Sequence, residues 1–167
     1  MSFTGKVARS VPVIAAGSLL VVSSAAFAQK TNWDRVAHIR KSAEQLADLQ
    51  KVRGALGAYE HIAACYKTHS LASRYGQAFE GCIVLDYIHS KVTAAVYERL
   101  PIEDRKKMGA PEPAALVGAM SSRISGGLSQ YKVGEKEAQA LIALIDKHGI
   151  PAFTAARFGK DGEPKPN

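Results

Sequence analysis

Two cysteines, Cys65 and Cys82, constrain the fold of this chain more than any other feature of its sequence. They lie on either side of a segment, 70–76, whose composition predicts a turn, and their midpoint falls at Ser73–Arg74. Because the rise per residue is the same in every α-helix, two helices that fold back at this turn would bring both cysteines to the same height. The spacing therefore predicts an intrachain disulfide that joins an antiparallel helix hairpin.

The compartment expected for the chain supports this disulfide. Residues 1–28 have the three parts of a cleavable secretory signal: the cations Lys6 and Arg9, an apolar run over 11–22, and an Ala-x-Ala sequence that ends at Ala28. The run of about twelve residues is shorter than the roughly 20 that a membrane-spanning helix needs. We therefore expect cleavage after Ala28, a periplasmic or secreted product with no stable membrane insertion, and an oxidising environment.

The rest of the chain predicts an all-α protein. Apolar residues recur with the period of an α-helix, and the alternation typical of strands is almost absent. We expect a single helical domain over 29–158, built as a small bundle of four to five main helices, and a disordered tail over 159–167. The helices are predicted over 32–50, 55–70, 76–100, from 113 onward, over 135–148 and over 151–158.

Three details of this pattern make specific predictions. Segment 82–89 is apolar on nearly all sides, which places its helix at the centre of the bundle. The first two predicted helices are either separate or one kinked rod, since Gly54 and Gly57 weaken the helix between them. Gly149 and Pro151 predict that the fifth helix ends before a last short helix begins.

A polar group beside the expected disulfide is the candidate site. His61 precedes Cys65 by one helical turn, and Asp86 and His89 follow Cys82 on the next helix. In the register of the hairpin, His61 and Asp86 lie at equal height, so we expect them to form a pair. A buried structural pair, a small-ligand or metal site, and a general base are the alternatives. The sequence contains no motif for a cofactor, and we expect none.

A stripe of small residues lies on the fourth predicted helix at Gly118, Ser122, Gly126 and Ser129. Such a stripe indicates that another backbone comes close, either a neighbouring helix or, in a homodimer, a second subunit. The net formal charge is +7, but the basic residues are interspersed with acidic ones and do not form a nucleic-acid-binding pattern. We therefore expect a non-catalytic interaction or envelope-assembly module with a protein partner, and a small-ligand or metal-binding bundle near His61, Asp86 and His89 is the alternative.

Overall fold

A computed structural model of the protein describes residues 32–159, and this part of the chain is all-α, as the sequence predicts. The predicted signal, 1–28, and the predicted tail beyond Gly159 lie outside the described residues. The helices are α1 (Arg35–His69), α2 (Gln77–Arg99), α3 (Ile102–Lys107), α4 (Pro113–Gln130), α5 (Glu135–Leu144) and α6 (Ile150–Phe158), with a π-helical turn, Ile145–Gly149, between the last two.

Helix α1 is interrupted at Gly54, which separates a first arm, 35–53, from a second arm, 55–69. The backbone of Gly54 has φ 67° and ψ −175°, a conformation that residues with a Cβ rarely adopt. A Cβ on Gly57 would lie 2.5 Å from the Cβ of Arg53, so the chain also turns tightly on the C-terminal side of Gly54. The junction that the sequence left open is therefore a sharp bend between two helices.

The two arms run along α2 in opposite directions. In the first arm, His38 contacts Gln77 and Gln50 contacts His89, so this arm is parallel to α2. In the second arm the order is reversed. Tyr59 lies against His89, whereas Cys65, farther along the arm, is bonded to Cys82, which comes earlier in α2. The bend at Gly54 thus places a pair of helices on one side of α2.

The predicted disulfide is present. Cys65 and Cys82 are joined with their Cα atoms 5.6 Å apart, which ties the second arm of α1 to α2 as an antiparallel hairpin. Helix α4 supports the turn of this hairpin, because the hydroxyl of Tyr131 donates to the carbonyl oxygens of His69 and Ser70 at 3.0 Å each. A covalent loop of this size contributes roughly 3 kcal/mol in the chain-entropy model.

Helix α2 is the centre of the bundle, as its apolar sequence predicts. Every residue from Phe79 to Ser90 is buried. Both arms of α1 pack on this helix, as do α4 and the π-helical turn. Phe79 lies against the side of α4 at Gly127, where a Cβ would come within 2.6 Å of the phenyl ring. The central position of α2 determines which of its polar side chains are withdrawn from water.

The expected break at Gly149 and Pro151 is wrong. Gly149 has a right-handed helical backbone, with φ −78° and ψ −52°, and α5 continues through the π-helical turn into α6. The amide of Ile150 donates to the carbonyl of Ile145, one residue farther back than in an α-helix. The wider turn accommodates Pro151, which lacks an amide hydrogen and in a regular α-helix would crowd the carbonyl of Lys147, four residues earlier.

The extra residue in the wide turn also corrects the phase of the helix. Leu141, Ile145 and Phe153 are each at most 1% exposed. In a regular α-helix, Phe153 would be rotated well away from Leu141, because each residue adds about 100°. Gly149 lies between them and lets the helix approach the core closely, since a Cβ there would meet Ile88 at 3.0 Å and Ile39 at 3.1 Å.

Candidate functional site

Asp86 is buried on α2 and is held by three side chains. Arg123 of α4 donates to its carboxylate through Nε at 3.0 Å and through Nη2 at 2.7 Å. The hydroxyls of Tyr66 and Ser90 donate at 3.2 Å and 3.1 Å. The carboxylate is 1% exposed, so these donors replace the water that it loses on folding. Asp86 thus links the second arm of α1 to α4.

The expected pair between His61 and Asp86 is wrong. Across residues 32–159, no hydrogen bond or ion pair joins these two side chains. His61 instead lines a groove of about 400 Å³ between the two arms of α1, whose floor is formed by Gly81 and Leu85 of α2. Equal height along the hairpin does not by itself bring two side chains together. Asp86 follows Leu85 by one residue, so its side chain is rotated about 100° around the helix axis and faces α4 instead of the groove.

His89 lies near Asp86 but is bound elsewhere. Its Nδ1 is 3.1 Å from Nε2 of Gln50 in the first arm, and its ring lies against Tyr59 at a centroid distance of 6.4 Å. Burial lowers the pKa of His89, the negative charge of Asp86 opposes this shift, and the positive charge of Arg123 adds to it. A histidine held neutral in this way acts as a packing and hydrogen-bonding residue at neutral pH.

The three candidate residues therefore do not form one site. His61 faces the groove between the arms, Asp86 faces α4, and His89 faces the first arm. Among the described residues, no group of three or more His, Cys, Asp or Glu side chains is placed to hold a metal ion. Asp86 and His89 each bind a side chain of another helix, Arg123 and Gln50 respectively.

A second buried acid, Glu80, was not identified from the sequence. It is 0% exposed and accepts hydrogen bonds from Trp33 at 3.1 Å, Arg35 at 2.9 Å and Tyr75 at 2.8 Å. Arg35 also contacts Glu137 at 3.3 Å, which connects the start of α1 to α5. The sequence could have indicated its burial, because Glu80 is an acid at the start of the apolar segment that begins near Phe79. Burial and the charge of Glu80 raise the pKa of Tyr75.

An open groove lies between α4 and α5, and we call it the α4–α5 groove. Its volume is about 750 Å³. Its apolar residues are Met120, Ile124, Leu128, Val133, Ala138, Ile142 and Ala143, and Tyr87 of α2 forms part of the floor. Three serines, Ser121, Ser125 and Ser129, lie along the α4 wall, and Lys132, Glu135, Gln139 and Asp146 complete the lining.

The floor and one end of the groove are held in place by α2 and the π-helical turn. The hydroxyl of Tyr87 donates to Oδ1 of Asp146 at 2.9 Å. Burial, together with this hydrogen bond and the negative charge of Asp146, raises the pKa of Tyr87. The wide turn that carries Asp146 is thus connected to the floor, and π-helical turns are frequent at functional sites.

The small-residue stripe of α4 faces outward. Ser122 and Ser129 are exposed, and a Cβ placed on Gly118 or Gly126 would meet no atom within 4 Å. The interpretation of the stripe as a contact with a neighbouring helix of the same domain is therefore wrong for the described part of the chain. Gly118, Ser122 and Gly126 form an open face beside the α4–α5 groove, and Ser129 lies on the wall of the groove itself.

Comparisons with known proteins bring no further assignment. Within residues 32–159, no helix is both long enough and apolar enough to cross a membrane. No family model, no curated protein and no solved structure matches the chain.

Proposed function

We propose that this protein is an exported, non-catalytic interaction module that binds a helical segment of a protein partner in the α4–α5 groove. The observation that carries the proposal is the groove itself, an open channel of about 750 Å³ between two helices, with an apolar floor and polar walls. Concave surfaces that combine apolar side chains with a few polar groups are typical of binding sites.

The shape and lining of the groove favour a helix over an extended peptide. Helix α4 contributes apolar side chains at Met120, Ile124 and Leu128, and α5 contributes Ile142 on the opposite wall. These three α4 side chains are almost fully buried and form part of the floor, and the exposed α4 wall consists of serines. The groove is therefore suited to a helix that lies along it and packs closely through short side chains. The sheet edges to which an extended strand would add are absent from the described chain.

The disulfide supports the exported location. Cys65 and Cys82 are bonded, and disulfides persist in the periplasm and outside the cell but are rare in the cytosol. Expression of the full chain followed by cell fractionation tests this part of the proposal. We expect the oxidised protein in the periplasm or medium with Gln29 as its first residue. Recovery in the cytosol with residues 1–28 intact would contradict export.

Photo-crosslinking in cells tests the groove. A photoreactive amino acid at Ser125, on the α4 wall, should give a discrete crosslinked product, whereas the same amino acid at Ala95, an exposed site away from the groove, should not. The substitution Ser121→Trp fills the groove and should abolish the product. Its matched control, Ala119→Trp on the exposed side of α4, should leave the product unchanged. Equal products from both crosslinker positions would contradict the proposal.

A further inference from the structure

We propose that the occupant of the α4–α5 groove is helix α4 of a second copy of this chain, in a twofold-symmetric antiparallel dimer. This inference rests on the proposed function, since it names the helix that enters the groove. Helix α4 has extensive contacts with only one other helix, α2, so its groove wall and the face beside it remain open. In a symmetric pair, each α4 would fill the groove of the other copy.

The charges at the two ends of α4 fit an antiparallel pair. Glu112 lies immediately before the helix and has a side chain that is 68% exposed, and Lys132 lies immediately after its last turn and is also exposed. An 18-residue helix is about 27 Å long, so the two charges are at opposite ends. When two copies pack antiparallel, Lys132 of each meets Glu112 of the other, and both ends are complementary at once.

The charges within the groove favour the same direction. Lys132 and Glu135 flank the connection between α4 and α5, whereas Asp146 lies eleven residues beyond Glu135, about 16 Å farther along the second wall of the groove. An incoming α4 that runs antiparallel to the resident one brings its own Lys132 to the Asp146 end. The negative charge of Glu135, near the resident Lys132, repels the incoming Glu112 in part. Arg105 pairs with Glu112 of its own copy at 3.0 Å, so it arrives with the incoming Glu112 and offsets this repulsion.

The surface that would be shared permits close packing. Ser121, Ser125 and Ser129 form the α4 wall, and short side chains allow helix axes to approach at the lower end of the usual 8–10 Å. In the dimer, the two copies of α4 would lie side by side, each along the open side of the groove of the other copy. The floor of each groove would then be covered by α4 of the other copy.

Charge reversal in the purified, signal-cleaved protein tests the dimer. Analytical ultracentrifugation across micromolar concentrations should show a monomer–dimer equilibrium. Lys132→Glu and Glu112→Lys should each weaken it by about tenfold or more, because attraction becomes repulsion at both ends, and the double variant should restore it. The control Lys106→Glu, which makes the same change of charge on exposed α3, should have no effect.

A cysteine placed on the twofold axis gives an independent result. The position midway between Glu112 and Lys132 is Ser122, which is exposed, so Ser122→Cys should form a disulfide between copies under mild oxidation. Ser129→Cys lies away from the axis and should not. The dimer would be overturned if the protein is a monomer at every concentration. It would also be overturned if Lys132→Glu and Glu112→Lys leave the monomer–dimer equilibrium unchanged, as the control Lys106→Glu should.

The crosslink at Ser125 separates failure of the dimer from failure of the proposed function. A product with twice the mass of the chain identifies a second copy. A product of another mass, abolished by Ser121→Trp, retains the groove as a binding site but overturns self-association. If no product forms from Ser125, both proposals fail.

Discussion

Two carboxylates in the centre of the bundle are each held by donors from other helices. Asp86 is bound by Arg123 and two hydroxyls, and Glu80 by Arg35, an indole and a hydroxyl. A charge withdrawn from water is tolerated only when such donors replace the lost hydration. Each acid therefore fixes the relative position of the helices that supply its donors. Hydrogen bonds are directional, so they restrict this position more than apolar packing alone does.

A double-mutant cycle tests this role at Arg123 and Asp86. Arg123→Gln leaves the buried carboxylate with only two hydroxyl donors, so we expect a loss of about 2–4 kcal/mol in the free energy of unfolding. Adding Asp86→Asn should recover part of that loss, because the uncompensated charge is removed. Urea denaturation measures both. Arg53→Gln breaks an exposed pair with Glu60 and should cost less than about 1 kcal/mol. An equal loss at both arginines would contradict this account.

Residue chemistry predicted that Asp86 needs a partner but not which partner. The requirement follows from a carboxylate within an apolar helix and is local in sequence. The identity of Arg123 depends on the packing of α4 against α2, which brings together residues 37 positions apart. His61 was the nearest basic side chain in the hairpin register, and that register determines height but not the face of the helix.

At the scale of elements, the period of the apolar pattern predicted most helices, the hairpin and the central place of α2. It failed where the chain departs from regular geometry. The bend at Gly54 and the π-helical turn both arise from tertiary packing, and a periodicity analysis assumes that the phase is constant along a helix. Gly149 and Pro151 usually mark the end of an α-helix, and the sequence analysis interpreted them in this way. In the wider π-helical turn both residues are accommodated and the helix continues.

Two glycine substitutions distinguish packing from propensity. Gly149→Ala should lower the free energy of unfolding by about 1–3 kcal/mol, because its Cβ would meet three isoleucine side chains at 3.0–3.2 Å. Gly126→Ala, in the exposed middle of α4, should raise it by about 0.5–1 kcal/mol, because alanine has the higher helix propensity and open space around it. Thermal and urea denaturation measure both, and effects of the same sign would contradict the assigned packing.

At the scale of the whole molecule, two histidines couple folding to pH. Burial lowers the pKa of His38 and of His89 below the ordinary histidine value of about 6.5. Glu80 opposes this shift at His38, and Asp86 opposes it at His89. The folded state therefore binds fewer protons than the unfolded state just below pH 6.5, and stability falls as the pH decreases through that range.

Denaturation at a series of pH values from neutral to about 5 tests this coupling. The free energy of unfolding of the wild-type protein should decrease toward acid pH. His89→Gln keeps a polar side chain beside Gln50 but cannot take up a proton, so its decrease should be shallower. A slope that is identical in the two proteins would show that His89 does not contribute.

The disulfide has a further consequence for how the molecule responds to cleavage. The turn that it encloses is exposed at Leu71, Ala72, Ser73 and Arg74. A trypsin-like protease that cuts after Arg74 divides the chain in two, yet Cys65 and Cys82 lie on opposite sides of the cut. The nicked protein would remain one covalent molecule, and its two fragments would separate on a denaturing gel only after a reductant is added.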